Sequence, residues 1–170
     1  LKEPDDNFFL ADPPLPSVPY DKLTSYQKVP IDLVRTGKER ILYITGKAGT
    51  GKTNIALNIC QLFKGAVQAG APTGLAARTF RGPTVHAMFA WSHLNTLNIN
   101  MNQDKLDYLR KRYEGVKCFI FDEVDNLDAA TLALIDEAMS ELFCKRDKHD
   151  KVQYEPFGGK IVIFLGDPAQ

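Results

Sequence analysis

Compact apolar runs alternate with amphipathic stretches along most of the chain. Four short runs that are mainly apolar, the second of them leading into a turn, are candidates for buried strands. They are RILYIT, AVQAGAPTG, VKCFIFDE and IVIFLG, which begin at residues 40, 66, 116 and 161. Between them lie stretches with helical periodicity, such as TNIALNICQLF and DAATLALIDEAMSELF. This alternation predicts an α/β domain in three layers, with a mainly parallel sheet covered by helices on both faces.

The beginning of the chain has a different composition. Residues 1–20 hold five of the ten prolines and several acids, which predicts an extended leader. Residues 21–170 are then expected to form one domain. The stretch DKLTSYQKVPIDLVRTG predicts short helices that are interrupted near Pro30 and end at Gly37. Because the chain lacks an initiator Met and stops just after a predicted strand, we expect it to be a fragment.

Composition narrows the possible partners only slightly. Lys plus Arg and Asp plus Glu are balanced at 21 each, so a uniformly basic nucleic-acid binder is not indicated, although a local basic groove is compatible. No apolar run approaches the ~20 residues that cross a membrane. The three cysteines are sparse and widely spaced, which favours free thiols in a reducing, intracellular compartment. Cys60 and Cys118 lie in apolar runs and are expected to be buried.

The sequence GKAGTGKT lies between the first predicted strand and a predicted helix. It matches the phosphate-binding pattern G-x-x-x-x-G-K-[ST], in which glycines let successive backbone N–H groups face an anion. Lys52 would supply charge to the β- and γ-phosphates, and Thr53 a hydroxyl ligand to Mg²⁺. The alternative, a plain glycine-rich turn with a surface lysine, does not explain the flanking strand and helix. We therefore predict a nucleotide site formed by Gly46, Lys47, Ala48, Gly49, Thr50, Gly51, Lys52 and Thr53.

A pair of acids, Asp122 and Glu123, ends the third predicted strand. Ligands of open parallel sheets bind beyond the carboxyl ends of the strands, so this pair and the phosphate loop can converge. Asp122 would hold Mg²⁺, and Glu123 would orient and deprotonate an attacking water. The alternative is that the acids merely begin a helix or turn. We expect Asp125 and Asp128 to be a capping and solvated pair rather than further ligands.

Three more stretches follow in a fixed order: APTGLAART, GPTVHAMF and PFGGKIVIFLGDPAQ, which begin at residues 71, 82 and 156. With GKAGTGKT and FDE, they resemble the first motor lobe of superfamily-1B DNA helicases, in particular the Pif-type, RecD-like family. The resemblance covers roughly residues 23–170. It implies a RecA-like P-loop NTPase lobe in which the fourth strand lies between the P-loop strand and the strand that carries the acid pair.

The resemblance also assigns roles to single residues. Gln27 is similar to the family's adenine-reading glutamine, whose amide can bond a base edge bidentately. Gln170 is similar to a γ-phosphate sensor that also contacts the attacking water or a second lobe. Two further sets are similar to the motifs that contact single-stranded DNA, namely Pro72, Thr73 and Gly74, and then Thr84 with His86.

Some positions depart from the family's pattern or stay open. The family commonly has Ile-Ser-Met after the acid pair, where this chain has Val124, Asp125 and Asn126. Because that serine helps to connect the ATP site with DNA, the departure bears on coupling and not on nucleotide binding. For the aromatic residues nearby, core packing is favoured for Phe89, whereas Trp91 could be core or could stack on a base.

For the whole protein, the resemblance implies hydrolysis of Mg·ATP that drives 5′-to-3′ translocation on single-stranded DNA and unwinding of fork or duplex DNA. It implies roles in repair, recombination and telomere maintenance, a monomer, no membrane, and a nuclear or mitochondrial location in a eukaryote. A second RecA-like lobe would complete the site, so residues 1–170 alone are expected to be weakly active at best.

Two other classes stay open at this point. One is another P-loop enzyme, such as an AAA+ ATPase or a small-molecule kinase. An AAA+ domain would more commonly carry a polar sensor residue where this chain has IVIFLGD, and a kinase would need an acceptor site and a lid. The other class is a catalytically incomplete DNA-binding remnant of a transposon-type helicase. The presence of Lys52, Thr53, Asp122 and Glu123 argues against such a loss of catalytic residues.

Overall fold

The computed structural model describes residues 17–91, 102–149, 151 and 153–168. Most of the predicted leader and Gln170 therefore lie outside the described residues. The strands are β1 (Ile41–Thr45), β2 (Val67–Gly70), β3 (Cys118–Phe121) and β4 (Ile161–Gly166). The α-helices are α1 (Ser25–Arg35), α2 (Lys52–Leu62), α3 (Gly74–Ala77), α4 (Val85–Met88), α5 (Gln103–Arg112) and α6 (Ala129–Phe143).

The four strands form one parallel sheet in the order β1-β4-β3-β2. The register pairs Thr45 at the end of β1 with Gly166 at the end of β4. Phe121 ends β3 and pairs with Phe164 on one side and with Gly70 on the other. The expected α/β class and the position of the fourth strand between the P-loop strand and the acid-bearing strand are both confirmed.

Each face of the sheet has its own hydrophobic core. Along β3 the side chains alternate: Cys118 and Ile120 belong to one core, whereas Phe119 and Phe121 belong to the other. The first core contains buried residues of α1 and α2, and the second contains buried residues of α4, α5 and α6. All four residues of β3 are buried, because helices cover both faces, and this explains its continuous apolar sequence. The three-layer arrangement is confirmed.

Helix α1 corrects the predicted break at Pro30. One helix runs from Ser25 to Arg35 with Pro30 inside it. Proline has no N–H to donate within the helix, which normally costs stability. Here the buried Ile31 and Val34 on the following turn anchor the helix to the core, so packing overrides the local preference. The helix ends close to the expected Gly37.

Two smaller expectations concern cysteines and membrane spans. Cys60 and Cys118 are free and buried, as predicted, and burial raises the pKa of the Cys60 thiol to about 12. No helix in the described part of the chain combines the length and the apolar character needed to span a bilayer.

Candidate nucleotide site

The predicted site residues lie at the carboxyl ends of neighbouring parallel strands. The P-loop follows β1 and Asp122 follows β3, and β4 lies between those two strands. In a parallel sheet these ends lie at one edge, where open α/β sheets bind ligands. The structure therefore brings the phosphate loop and the acid pair together from positions about 70 residues apart in sequence.

The backbone of the P-loop requires its glycines. Gly49 and Gly51 have φ angles of 79° and 91°, which is the left-handed region that glycine adopts without strain. A side chain on Gly46 would meet the Thr50 hydroxyl at 2.6 Å. Helix α2 begins at Lys52, and its N-cap Gly51 offers no side-chain cap. The first N–H groups of this helix are thus suited to bind an anion.

Lys52 lies over the loop that it would serve. Its ammonium donates hydrogen bonds to the carbonyl oxygens of Gly46 and, at 3.1 Å, of Lys47. The side chain is half-buried, so the positive charge is held against the loop rather than in bulk water. Thr53 is the second residue of α2 and is also half-buried. Both predicted ligands of a bound nucleotide therefore project from the same helix start.

Asp122 is a half-buried carboxylate next to this charge. Its backbone N–H donates to Gly70 O at 2.9 Å, and its side chain accepts from the N–H of Glu123 at 2.9 Å. Burial raises the pKa of Asp122, and the Glu123 charge raises it as well, whereas the bond from the Glu123 N–H and the Lys52 charge lower it. The Lys52 charge is thus close enough to lower the pKa of Asp122, which places the acid pair in the electrostatic field of the P-loop.

Glu123 has an unusual backbone conformation. Its φ of 52° and ψ of 41° place a non-glycine residue in the left-handed region, and its side chain is exposed. Such strain costs on the order of 1–3 kcal/mol and is concentrated at functional sites. Glu123 is exposed whereas Asp122 is half-buried, so the two acids have different surroundings.

The donor set fits a magnesium ion. Mg²⁺ prefers hard oxygen ligands and commonly takes one or two protein ligands in addition to phosphate oxygens and water. The Thr53 hydroxyl and the Asp122 carboxylate are ligands of this kind, and both are only partly covered. When bound, the ion would neutralise charge on the phosphates.

A cavity of about 640 Å³ opens beside the P-loop, between α1 and β1. Gln27 reaches into this region: its amide nitrogen donates to Thr50 O at 3.0 Å, and its amide oxygen accepts from the Thr24 N–H at 3.0 Å. Gln27 therefore joins α1 to the P-loop. Its role in reading adenine stays a prediction. The cavity is lined by Thr24, Tyr26, Gln27, Val29, Pro30, Leu33, Leu42, Tyr43, Ile44, Thr45, Thr50, Lys52 and Ile55.

The two predicted DNA motifs meet at the end of β2. Ala71 and Thr84 form a parallel bridge, with the Val85 N–H bonded to Ala71 O at 2.9 Å. The hydroxyls of Thr73 and Thr84 accept from backbone N–H groups at the starts of α3 and α4, at 3.3 Å each. Each hydroxyl keeps its own proton for donation to another acceptor. The motifs are thus adjacent, and their contact with DNA stays a prediction.

The aromatic residues near the second DNA motif, Phe89 and Trp91, pack against the protein core. Phe89 is fully buried, as expected for a core residue. Trp91 stacks on Phe89 with ring centroids 4.9 Å apart, and its ring is perpendicular to that of the half-buried His86, with centroids 5.9 Å apart. Trp91 packs against the second core. Trp91 thus contributes to packing, and this contact does not test the alternative that the ring also stacks on a base.

The two later acids have different contacts. Asp128 caps α6, as predicted, by accepting from the Thr131 N–H at 2.7 Å. Asp125 is exposed, as expected, and in addition it accepts hydrogen bonds from the Tyr43 hydroxyl and from the Asp167 N–H. Sequence patterns could not reveal this contact, since Tyr43 read as an ordinary strand residue.

A parallel sheet with a P-loop after β1 and an acid pair after β3 defines a P-loop NTPase lobe of the RecA-like class. The chain belongs to the PIF1-like helicase family, whose model matches residues 22–170. The ATP-dependent DNA helicase Pif1 of Psychrobacter sp. (strain PRwf-1) is 29% identical over 151 residues, which are 83% of this chain and 21% of that protein. The ATP-dependent DNA helicase PIF1 of Saccharomyces cerevisiae (strain YJM789) is 31% identical over 85% of this chain and 16% of its own length.

Solved structures give the same result. Bacteroides Pif1 bound to single-stranded DNA superposes with a TM-score of 0.64 at 26% identity, over 85% of this chain and 32% of that chain. The Bacteroides Pif1 complex with ADP-AlF3 and single-stranded DNA has a TM-score of 0.63 at 26% identity. The chain thus spans about a fifth of the Psychrobacter relative and about a third of the solved chains.

Proposed function

We propose that this chain is the ATP-binding first lobe of a Pif-type helicase that hydrolyses Mg·ATP. The observation that carries the proposal is the convergence of Lys52, Asp122 and Glu123 at one edge of the β1-β4-β3-β2 sheet. A glycine-rich surface turn would not be expected to have a strained acid and a half-buried carboxylate from another strand beside it. The family membership and the relatives named ATP-dependent DNA helicases support the same function.

In this proposal each residue of the chain has a distinct task. The P-loop N–H groups and Lys52 bind and orient the β- and γ-phosphates. Thr53 and Asp122 hold Mg²⁺. Glu123 orients the attacking water and accepts its proton, a role that suits an exposed carboxylate beyond the strand end. Gln27 lies beside the cavity next to the P-loop, and Gln170 is proposed to sense the γ-phosphate.

We further propose that ATP hydrolysis moves single-stranded DNA along the carboxyl edge of the sheet in the 5′-to-3′ direction and unwinds fork or duplex DNA. The support is that Pro72, Thr73, Gly74, Thr84 and His86 lie after β2, the strand next to β3. A bond from the Asp122 N–H to Gly70 O connects the two strand ends directly. One relative was solved with single-stranded DNA.

A second RecA-like lobe is part of the proposal. The relatives are several times longer than this chain, so their length leaves room for it. An arginine supplied across such an interface is worth 10³–10⁵-fold in related NTPases. The chain by itself would therefore bind nucleotide weakly and hydrolyse it slowly, and the full-length helicase would act as a monomer.

The cellular role is proposed on the family alone: DNA repair, recombination and telomere maintenance. The three described cysteines are free, and two are buried, which supports a reducing intracellular compartment. In a eukaryote this would be the nucleus or the mitochondrion.

The proposal is tested by substituting Lys52 in the full-length helicase. We expect Lys52→Ala to reduce DNA-stimulated ATPase activity by at least about 10²-fold, since it removes the side-chain charge that is proposed to bind the β- and γ-phosphates. Lys38→Ala is the matched control, because Lys38 is exposed and precedes β1. Hydrolysis is measured by phosphate release with and without oligonucleotide.

Two results would overturn the proposal in different ways. Activity that single-stranded DNA does not stimulate would contradict the helicase function and favour another P-loop ATPase. A wild-type protein that binds DNA without hydrolysing ATP would instead indicate a non-catalytic remnant.

A further inference from the structure

One carboxylate connects three of the four strands. The Tyr43 hydroxyl of β1 donates a hydrogen bond of 2.5 Å to Oδ1 of Asp125, although the two residues are 82 positions apart. The other oxygen, Oδ2, accepts from the backbone N–H of Asp167, directly after β4. Asp125 itself lies in the 3₁₀ turn Val124–Asn126 that follows the acid pair. We call these three residues, Tyr43, Asp125 and Asp167, the strand latch.

The packing around Asp125 is built for this contact. Val124 is buried in the second core, which anchors the turn that carries Asp125. A side chain at Gly166 would meet both the Asp125 carboxylate and the Tyr43 hydroxyl, so these groups pack closely against the end of β4. The Gly166 carbonyl in turn accepts from the Gly46 N–H at 3.3 Å. The end of β4 is therefore tied to the acid-bearing turn and to the first residue of the P-loop.

The chemistry of the latch depends on an acid at position 125. A carboxylate has two acceptor oxygens, so it can accept hydrogen bonds from the Tyr43 hydroxyl and the Asp167 N–H at the same time. An asparagine has one oxygen and can accept well from only one of them. The bond to Asp125 raises the pKa of Tyr43 to about 12, with smaller contributions from burial and the charges of Asp125 and Asp167. Tyr43 thus stays a proton donor at neutral pH.

We propose that Asp125 is a positioning residue that, with Tyr43, holds the end of β4 against the P-loop and the acid pair. The proposal rests on the function proposed above and adds residues that act through backbone placement rather than by touching ATP. Asp167 lies between the two halves of the ATP site in the sheet order. Loosening this point would disturb the arrangement in which Lys52 and Glu123 act together, and ground-state binding by the P-loop would be less affected.

The latch is tested first without any activity. Hydrogen exchange at the Asp167 amide is followed by NMR in the 170-residue chain. We expect Asp125→Ala to accelerate this exchange by about tenfold or more relative to the wild type, because the amide loses its acceptor. Asp104→Ala, an exposed acid on α5, is the control that should leave the exchange unchanged. Tyr43→Phe keeps the ring and removes only the hydroxyl, so it is the substitute test variant if Asp125→Ala does not fold.

The second measurement is ATPase kinetics of the full-length helicase. Asp125→Ala and Tyr43→Phe should lower kcat by about tenfold with KM for ATP within about twofold, and the double variant should be no worse than Asp125→Ala. Unchanged Asp167 exchange in a folded Asp125→Ala protein would overturn the latch. Faster exchange with an unaltered kcat would overturn its positioning role. If the wild type lacked ATPase activity, the proposed function and the positioning role would fail together, while the exchange result would still decide whether the latch exists.

Discussion

Glu123 shows at the scale of one residue how backbone and chemistry are joined. A left-handed φ of 52° is costly for a side chain with a Cβ atom, and Gly would adopt it freely. The position nevertheless carries a carboxylate at the end of the acid-bearing strand. The Asp122 side chain holds this conformation by accepting from the Glu123 N–H. The strain is thus maintained by the same acid that is proposed to bind Mg²⁺.

This arrangement leads to a prediction for Glu123→Gln in the full-length helicase. The amide keeps the shape of the side chain but cannot accept the proton of the attacking water, so we expect kcat to fall by about 10²–10⁴-fold. Affinity for a fluorescent ATP analogue should stay within about threefold of the wild type, because the P-loop is intact. Glu114→Gln, an exposed glutamate, is the control. Equal losses of binding and turnover would contradict the assignment of Glu123 as the base.

Helix α1 is the element in which local signals and packing disagree most. Its start is strongly encoded by a capping box, in which the Thr24 hydroxyl accepts from the Gln27 N–H and the Gln27 amide oxygen accepts from the Thr24 N–H. The same amide contacts the carbonyl of Thr50 in the P-loop. The capping box therefore both begins the helix and joins it to the nucleotide site.

We predict that Thr24→Ala lowers the free energy of unfolding of the chain by about 1 kcal/mol, because the helix start loses its side-chain acceptor. Urea unfolding followed by circular dichroism measures this change. Ser25→Ala is the matched control, since Ser25 is exposed at the next position and alanine favours helix. A loss as large for Ser25→Ala as for Thr24→Ala would show that the capping box does not stabilise α1.

At the scale of the whole molecule, strand order decides which motifs can communicate. The P-loop and the acid pair lie on β1 and β3 with β4 between them, and the predicted DNA motifs follow β2, next to β3. Thr73 and Thr84 cap short helices there and are brought side by side by the Ala71–Thr84 bridge. Nucleotide and DNA sites would thus share one edge of the sheet.

The DNA assignment is tested by Thr73→Asp. Aspartate caps a helix start as well as threonine does, so α3 should persist, but its charge repels phosphate. We expect roughly tenfold weaker binding of labelled oligo-dT in fluorescence anisotropy at fixed salt, with nucleotide affinity unchanged in the absence of DNA. Thr73→Ser keeps both the cap and the hydroxyl and should bind like the wild type. Normal DNA binding by a folded Thr73→Asp protein would remove Thr73 from the DNA site.

Much of the fold and of the nucleotide site followed from local sequence. The four strands were predicted from their apolar runs. The P-loop was predicted from the spacing of its glycines, lysine and threonine, which is typical of phosphate binding. The order of the strands came from the resemblance to helicases, not from the pattern itself. Pro30 was misjudged because the buried surface of α1 outweighs the missing hydrogen bond, and that burial depends on elements distant in sequence.

The sequence by itself determined the features whose causes are local: the glycines of the P-loop, the cap of α6 and the acid pair after β3. Each depends on neighbours within a few residues, so spacing reveals it. Only the tertiary structure decided that Tyr43, Asp125 and Asp167 meet. That contact requires β4 to lie between β1 and β3, and a hydrogen bond between residues 82 positions apart leaves no periodic trace in the sequence.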